Sequence, residues 1–221
     1  MPKQAIIWGA TGHAKVVKEC LDQQGIQVMA LFDQNAGLTS PLPGIPLYVG
    51  ETGFELWLQN YTGDRLGCVV AVGGFRGAER LQIQQHLVSK GLEALTLVHH
   101  RAALAPDADI GSGSHILTQS AVCVASKLGE ACIVNTGATV DHECRLGEGV
   151  HIAPGAHLAG CVEVGNFATV FTGASVLPRV RIGAHAIVGA GAVILKDVPP
   201  GAVVVGNPGR IVSYREGFTP A

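Results

Sequence analysis

Val140-Asp141-His142-Glu143-Cys144 is the stretch of this sequence best equipped for chemistry. Imidazole takes and returns a proton near neutral pH, and a neighbouring carboxylate holds the ring and favours its charged form as the proton arrives. His142 beside Glu143 therefore has the make-up of a general base for a nucleophile that must lose a proton. On an isolated surface loop that pair would mean little, so its value depends on the elements that position it. The same holds for His151, which either contributes to a site or stands as a solvated corner. It holds too for the turn Gly9-Ala10-Thr11-Gly12-His13, where backbone N–H groups between a strand and a helix can face a phosphate.

From Leu104 to Ile194 every sixth residue is Leu, Ile or Val, sixteen in succession without a slip. Four positions after each stands a small or slim side chain, such as Ala138, Cys144, Ala156 or Ala174. One long apolar and one small residue per six is what a narrow triangular solenoid requires. Each hexapeptide makes one side, three make an 18-residue coil, and the run gives about five coils. The predicted fold of this half is a left-handed parallel β-helix.

With coils stacked at about 4.8 Å, residues 18 apart lie one above another. That register points Val140 and Cys144 inward and leaves His142 and Glu143 at an outward corner. The stacking neighbour of His142 is Gly160, which predicts open space over the imidazole for an incoming reactant, with backbone amides near Gly160 able to stabilise an oxyanion. Gly137, Gly155, Gly173 and Gly191 form a ladder along one edge. Such an edge turns through positive φ, where glycine is favoured, or leaves bare backbone for a long, thin ligand; the two readings are compatible.

The first hundred residues alternate instead. Residues 5–8, 27–32 and 68–72 read as strands, and 13–24 and 78–90 as helices, with turns at Gly9, Gly25 and Gly73-Gly74. This predicts a small Rossmann-like βαβ domain at 1–98, followed by the β-helix and a C-terminal tail at 99–221. Gly9-x-x-Gly12 is half of a dinucleotide fingerprint, and Asp33 ends the second strand where a base or ribose is read in such a fold; the alternative is a plain tight turn.

Only 14% of residues are charged and the formal net charge is −2, so there is no basic field for nucleic acid or a membrane surface. The six cysteines include no C-x-x-C pair, which argues against a thiolate zinc site and a disulfide framework. No stretch of 18 apolar residues and no signal-peptide layout occurs, so the expected location is the cytoplasm.

Pairs such as Ile110-Gly111, Leu128-Gly129, Val164-Gly165 and Ile182-Gly183 resemble the repeat of the hexapeptide acyltransferases. With Gly9-Ala10-Thr11-Gly12-His13-Ala14-Lys15-Val16-Val17, His142-Glu143 and Val205-Gly206-Asn207-Pro208-Gly209-Arg210, nearly the whole chain resembles the bacterial nucleotide-sugar N-acetyltransferases and sialic acid O-acetyltransferases. The resemblance implies an acetyl-CoA-dependent N-acetyltransferase, without a metal, acting on the amine of a nucleotide-linked amino-deoxy sugar for surface polysaccharide synthesis. It implies a homotrimer with coenzyme between adjacent subunits. By resemblance His142 is the general base, assisted by Glu143, and His151 contacts the thioester region of acetyl-CoA. Gly160 and Gly189-Ala190-Gly191 correspond to coenzyme contacts, to which the glycine ladder adds Gly173. Asn135 lies beside the acceptor, and Gly12, His13 and Asp33 contact the nucleotide with Gly73 nearby. The rivals are O-acetylation of a sugar such as sialic acid by the same base, a non-catalytic sugar-nucleotide sensor, and a γ-class carbonic anhydrase holding zinc through His142, His151 and His157. The last has no use for a nucleotide-binding domain.

Overall fold

A computed structural model describes residues 2–63 and 65–219; Met1, Pro220 and Ala221, at the ends of the two expected units, lie outside the described residues. The alternating half forms β1 (Gln4–Trp8), α1 (Gly12–Gln23), β2 (Gln27–Asp33), β3 (Leu47–Val49), α2 (Gly50–Gln59), β4 (Leu66–Val70), α3 (Gly77–Ser89) and β5 (Glu93–Ala94). The strands are parallel in the order β3-β2-β1-β4-β5. This is a Rossmann-like unit, and its order reverses between β1 and β4, so the crevice beyond their carboxyl ends is where such sheets take ligands. Gly9 closes the turn after β1 with φ 106°; a Cβ there would stand 2.7 Å from the Ala71 carbonyl, so only glycine permits the approach. The sequence pattern does not announce β3 or α2. The first is three half-exposed residues, and the second opens on Gly50-Glu51-Thr52-Gly53, where glycines interrupt the helical spacing.

Residues from Leu97 onward wind into a left-handed parallel β-helix with three faces. The first face stacks Leu97–Val98, His115–Ile116, Ile133–Val134, His151–Ile152, Thr169–Val170 and Ile187–Val188, and the tail strands Ala202–Val205 and Arg210–Tyr214 extend it. The second runs from Ala103–Leu104 to Val193–Ile194 and the third from Asp109–Ile110 to Arg181–Ile182. Strands pair 18 residues apart, as Thr139 with His157 and Arg145 with Glu163. The aliphatic and small residues of the repeat fill the prism from Ile116 to Val204, each fully buried Val, Leu or Ile contributing about 1.5–3 kcal/mol.

The residue before each inward aliphatic points outward, and its character differs by face. On the third face it is Asp109, Lys127, Arg145, Glu163 or Arg181, of which all five are exposed. On the first face it is His115, Ile133, His151 or Thr169, all buried. The Rossmann-like unit covers that face: Leu97, Leu117 and Ile133 share one apolar cluster with Ala14, Val17, Leu21 and Val69.

Candidate active site

His142 and Glu143 occupy the turn between the second and third faces. Glu143 has φ 59°, as do its stacked corner neighbours Ala125, Cys161 and Arg179 within a few degrees (56°, 61° and 63°). This left-handed turn in a non-glycine residue costs about 1–2 kcal/mol. In the resulting pose Glu143 Oε2 lies 3.0 Å from His142 Nδ1. A carboxylate only accepts, so Nδ1 carries the proton and the Nε2 lone pair is left free. Both side chains are exposed, at 49% and 63%.

The space at Gly160 differs from the expectation. It is not an opening above the ring; the imidazole itself fills it, and a Cβ on Gly160 would stand 2.3 Å from His142 Nε2. Gly160 is buried against the ring it seats. The amide of Cys161 is likewise committed, donating to the His142 carbonyl at 2.9 Å, which removes it from the group proposed for an oxyanion.

The glycine ladder forms the corner between the first and second faces. Gly137, Gly155, Gly173 and Gly191 have φ of 65°, 63°, 69° and 66°, and nothing lies within 4 Å of where their Cβ atoms would be. The ladder is a positive-φ turn that presents bare backbone over four coils. Ala190 and Gly191 are exposed beside it. Gly189 is not part of the open strip: its Cβ position is filled by Val205 at 2.7 Å, and its amide donates to the Val204 carbonyl. It serves the packing of the tail strand.

The remaining predicted residues gather at the sheet's switch point. Gly12 opens α1 with nothing within 4 Å of its Cβ position, and no side chain caps that helix, so its first amides face outward. Asp33 braces the turn from behind: one oxygen accepts from the Ala10 amide at 2.8 Å and the other from Asn35 at 3.0 Å. Its carboxylate thus ties the turn after β1 to the loop after β2, at the strand end where the sequence reading sets it against a base or ribose. Gly73 lies against His151, whose Cε1 would be 3.8 Å from a Cβ there. His151 is not a solvated corner; it is buried between the two units. Its Nδ1 donates to the Gly74 carbonyl at 3.3 Å, so its Nε2 accepts from Asn135 Nδ2 at 3.2 Å. His142, His151 and His157 lie on a corner, the first face and the second face, and do not converge as zinc ligands within the chain; His157 pairs with Thr139 Oγ1 at 2.9 Å.

Two residues absent from the sequence reading complete this junction. His115 is fully buried, with Nδ1 3.3 Å from His13 Nε2 and no partner on its own Nε2. Arg80, fully buried on α3, donates to the carbonyls of Ala131 (2.7 Å), Val72 (2.8 Å) and Gly149 (2.8 Å). It spans from the Rossmann-like unit to two coils of the prism. Burial pulls its pKa down to about 10. Burial first, and the Arg80 charge second, holds His13 down at about 4 and His151 at about 3; His115 is held well below its ordinary value by burial, then by His13 and Arg80. All three are neutral in the folded protein.

Unfolding returns those rings to water, where each takes a proton near pH 6.5. Between that value and the folded-state values the unfolded chain binds more protons. Stability is therefore full above about pH 6.5 and falls as pH drops toward 4, by up to about 1.4 kcal/mol per pH unit for each histidine. Urea midpoints measured from pH 7.5 to 5 should decline below about pH 6.5, and less steeply for His115→Leu. A flat profile would contradict the burial of these rings.

A Rossmann-like unit docked on a left-handed β-helix, with a histidine–carboxylate pair at an exposed corner, defines the class as sugar acetyltransferase. The sequence profile of the PglD N-terminal domain matches residues 4–87. PerB from Caulobacter crescentus, in complex with CoA and GDP-perosamine, is 33% identical with a TM-score of 0.85, covering 95% of this chain and 97% of that one. The acetyltransferase domain of PglB from Neisseria gonorrhoeae, in complex with acetyl coenzyme A, is 33% identical with a TM-score of 0.84, covering 96% and 100%. A histidine-to-asparagine mutant of perosamine N-acetyltransferase from Caulobacter crescentus, in complex with CoA and GDP-perosamine, is 34% identical with a TM-score of 0.85, covering 95% and 97%. Comparison with curated protein sequences finds no match. The chain belongs to this family of hexapeptide-repeat sugar acetyltransferases.

Proposed function

We propose that the protein transfers acetyl from acetyl-CoA to the amine of a nucleotide-linked amino-deoxy sugar, with His142 as general base and no covalent enzyme intermediate. The observation that carries this reading is the contrast among the histidines. His142 is exposed, tied to a carboxylate through Nδ1 and free at Nε2, whereas His115 and His151 are buried, His13 is half-buried, and all three are held toward the neutral form. Nε2 accepts the proton that the sugar amine sheds as its nitrogen attacks the thioester carbonyl. The C–N bond forms, the C–S bond breaks, and the proton on His142 passes to the departing thiolate. Glu143 holds the ring and stabilises the transient imidazolium.

The bare strip at Gly137, Gly155, Gly173 and Gly191, continued by Ala190, fits a thin pantetheine arm. The open amides of Gly12 and His13 at the start of α1 suit a diphosphate, and His13, Gly73, Asn135 and His151 line the side on which the sugar would lie. That crevice faces the first side of the prism, while His142 stands at the corner of the second and third. An acceptor held by one chain therefore meets His142 of a neighbouring copy. The second face is built for such contact: its outward residues Ala121, Thr139, His157 and Ser175 carry no carboxylate, lysine or arginine, and Val124, Leu177 and Leu195 are exposed along its edge. A homotrimer closing on that face is the assembly we infer. The reaction belongs in the cytoplasm, where acetyl-CoA and nucleotide sugars are available; no helix among the described residues is long and apolar enough to cross a membrane.

The test is mass spectrometry of UDP-, GDP- and dTDP-linked amino-deoxy sugars incubated with the protein and acetyl-CoA. One of them should gain a single acetyl group on nitrogen and raise the melting temperature on binding, since ligand at 100 times its Kd adds about 2.7 kcal/mol. No acetylation and no thermal shift across the panel would sink the reading.

A further inference from the structure

The 18-residue stacking sets a thiol beside the candidate base. Glu143 lies directly under Cys161, and Cys161 Sγ is 3.7 Å from Glu143 Oε2 while His142 Nδ1 is 3.0 Å from the same oxygen. One nitrogen, one oxygen and one sulfur donor all lie within 4.8 Å of one another, and among the described residues no other group of three such side chains does so. Tetrahedral zinc with bond lengths of about 2.0 Å to nitrogen and oxygen and 2.3 Å to sulfur separates its donors by about 3.3–3.6 Å. The nitrogen–oxygen and oxygen–sulfur separations of 3.0 and 3.7 Å already lie close to those values, and no pair is more than 4.8 Å apart. Glu143 and Cys161 share the same left-handed corner conformation in successive coils, at φ 59° and 61°, so the backbone fixes their spacing.

We propose that His142, Glu143 and Cys161 form an inhibitory binding site for a borderline-soft divalent cation, with Zn²⁺ as the natural fit to a nitrogen, oxygen and thiolate set. Three protein ligands leave the fourth position to water. Binding releases the thiol proton from Cys161. Coordination through His142 Nδ1 displaces the proton shared with Glu143 and leaves the neutral ring protonated at Nε2, which removes the lone pair that takes the proton from the amine. The metal thus switches off the base through its Nδ1 side. Magnesium, which seeks oxygen ligands in an octahedron, has no match here. The inhibitory consequence rests on the reading of His142 as the base; the site itself does not.

The experiment uses the full chain in two arms. In the first, cobalt(II) is titrated as a spectroscopic substitute for zinc. A thiolate-to-cobalt charge-transfer band in the near ultraviolet should appear, be displaced by zinc, and be absent from a folded Cys161→Ser variant. In the second, zinc chloride should inhibit acetyl transfer reversibly on chelation, and its half-inhibitory concentration should rise at least about tenfold in Cys161→Ala, whose activity without zinc stays near that of the parent, while magnesium has no effect. No thiolate band in the parent, or equal zinc inhibition of parent and variant, overturns the proposal. A thiolate band with no acetyl transfer under any condition leaves the site standing and counts against the acetyltransferase chemistry instead.

Discussion

Replacing His142 with alanine is expected to lower kcat for acetyl transfer by about 10²- to 10⁴-fold, the range that a positioned general base contributes. KM for the amino sugar should change little, because the ring acts on the proton lost in the transition state and not on the bound ground state. The companion variant Gly160→Ala isolates geometry from chemistry. Gly160 carries no positive φ, so alanine suits its backbone, yet the added carbon would stand 2.3 Å from Nε2 and push the imidazole off its seat. A displacement of about 1 Å can remove about 10²-fold in rate, so kcat should fall while the urea midpoint stays near that of the parent. Full activity in His142→Ala, measured with coenzyme A release as the readout, would sink the assignment of the base.

Arg80→Leu should destabilise the protein by about 3–5 kcal/mol, the second large effect. The three carbonyls it satisfies, on Ala131, Val72 and Gly149, come from the Rossmann-like unit and from successive coils. Leucine would spare the cost of burying a charge, but it leaves three acceptors in the junction without partners at about 1–3 kcal/mol each. The acceptors win because nothing else within the junction can reach all three in the planar fork geometry that guanidinium supplies. For the same reason lysine should not restore stability. Urea unfolding followed by tryptophan fluorescence, which Trp8 reports from the sheet, measures the loss. A change below about 1 kcal/mol, the ordinary size of a surface substitution or smaller, would show that the bridge is dispensable.

The six-residue period was enough to place His142 and Glu143 at an outward corner and to align the four ladder glycines, because those statements depend only on counting. Gly160 was misread for a physical reason: a glycine reports that its own side chain is missing, not whose ring occupies the gap. Arg80 was not legible because a helical spacing says which face of α3 is apolar and cannot say that an arginine on it will cross into another unit. A signal for the junction was nevertheless present. The outward residues of the third face are charged from Asp109 to Arg181, whereas His115, Ile133, His151 and Thr169 on the first face carry no Asp, Glu, Lys or Arg. Reading the outward positions face by face, as well as the inward ones, marks the covered side and draws His115 and His151 to it together.

Coil stacking also decides where this protein can change in length. Every coil offers the next the same row of backbone donors and acceptors, so a whole extra turn keeps the coil-to-coil ladder complete wherever it enters. Its chemical effect depends on the address. Added near Val193–Ile194, it would extend the strip of bare backbone and leave everything else alone. Added between Glu143 and Gly160, it would slide a stranger against the imidazole and carry Cys161 one storey away, even with every rung of the coil-to-coil ladder still made. Growth is therefore confined to the ends of the prism, and the two coils that meet at His142 behave as a single indivisible unit.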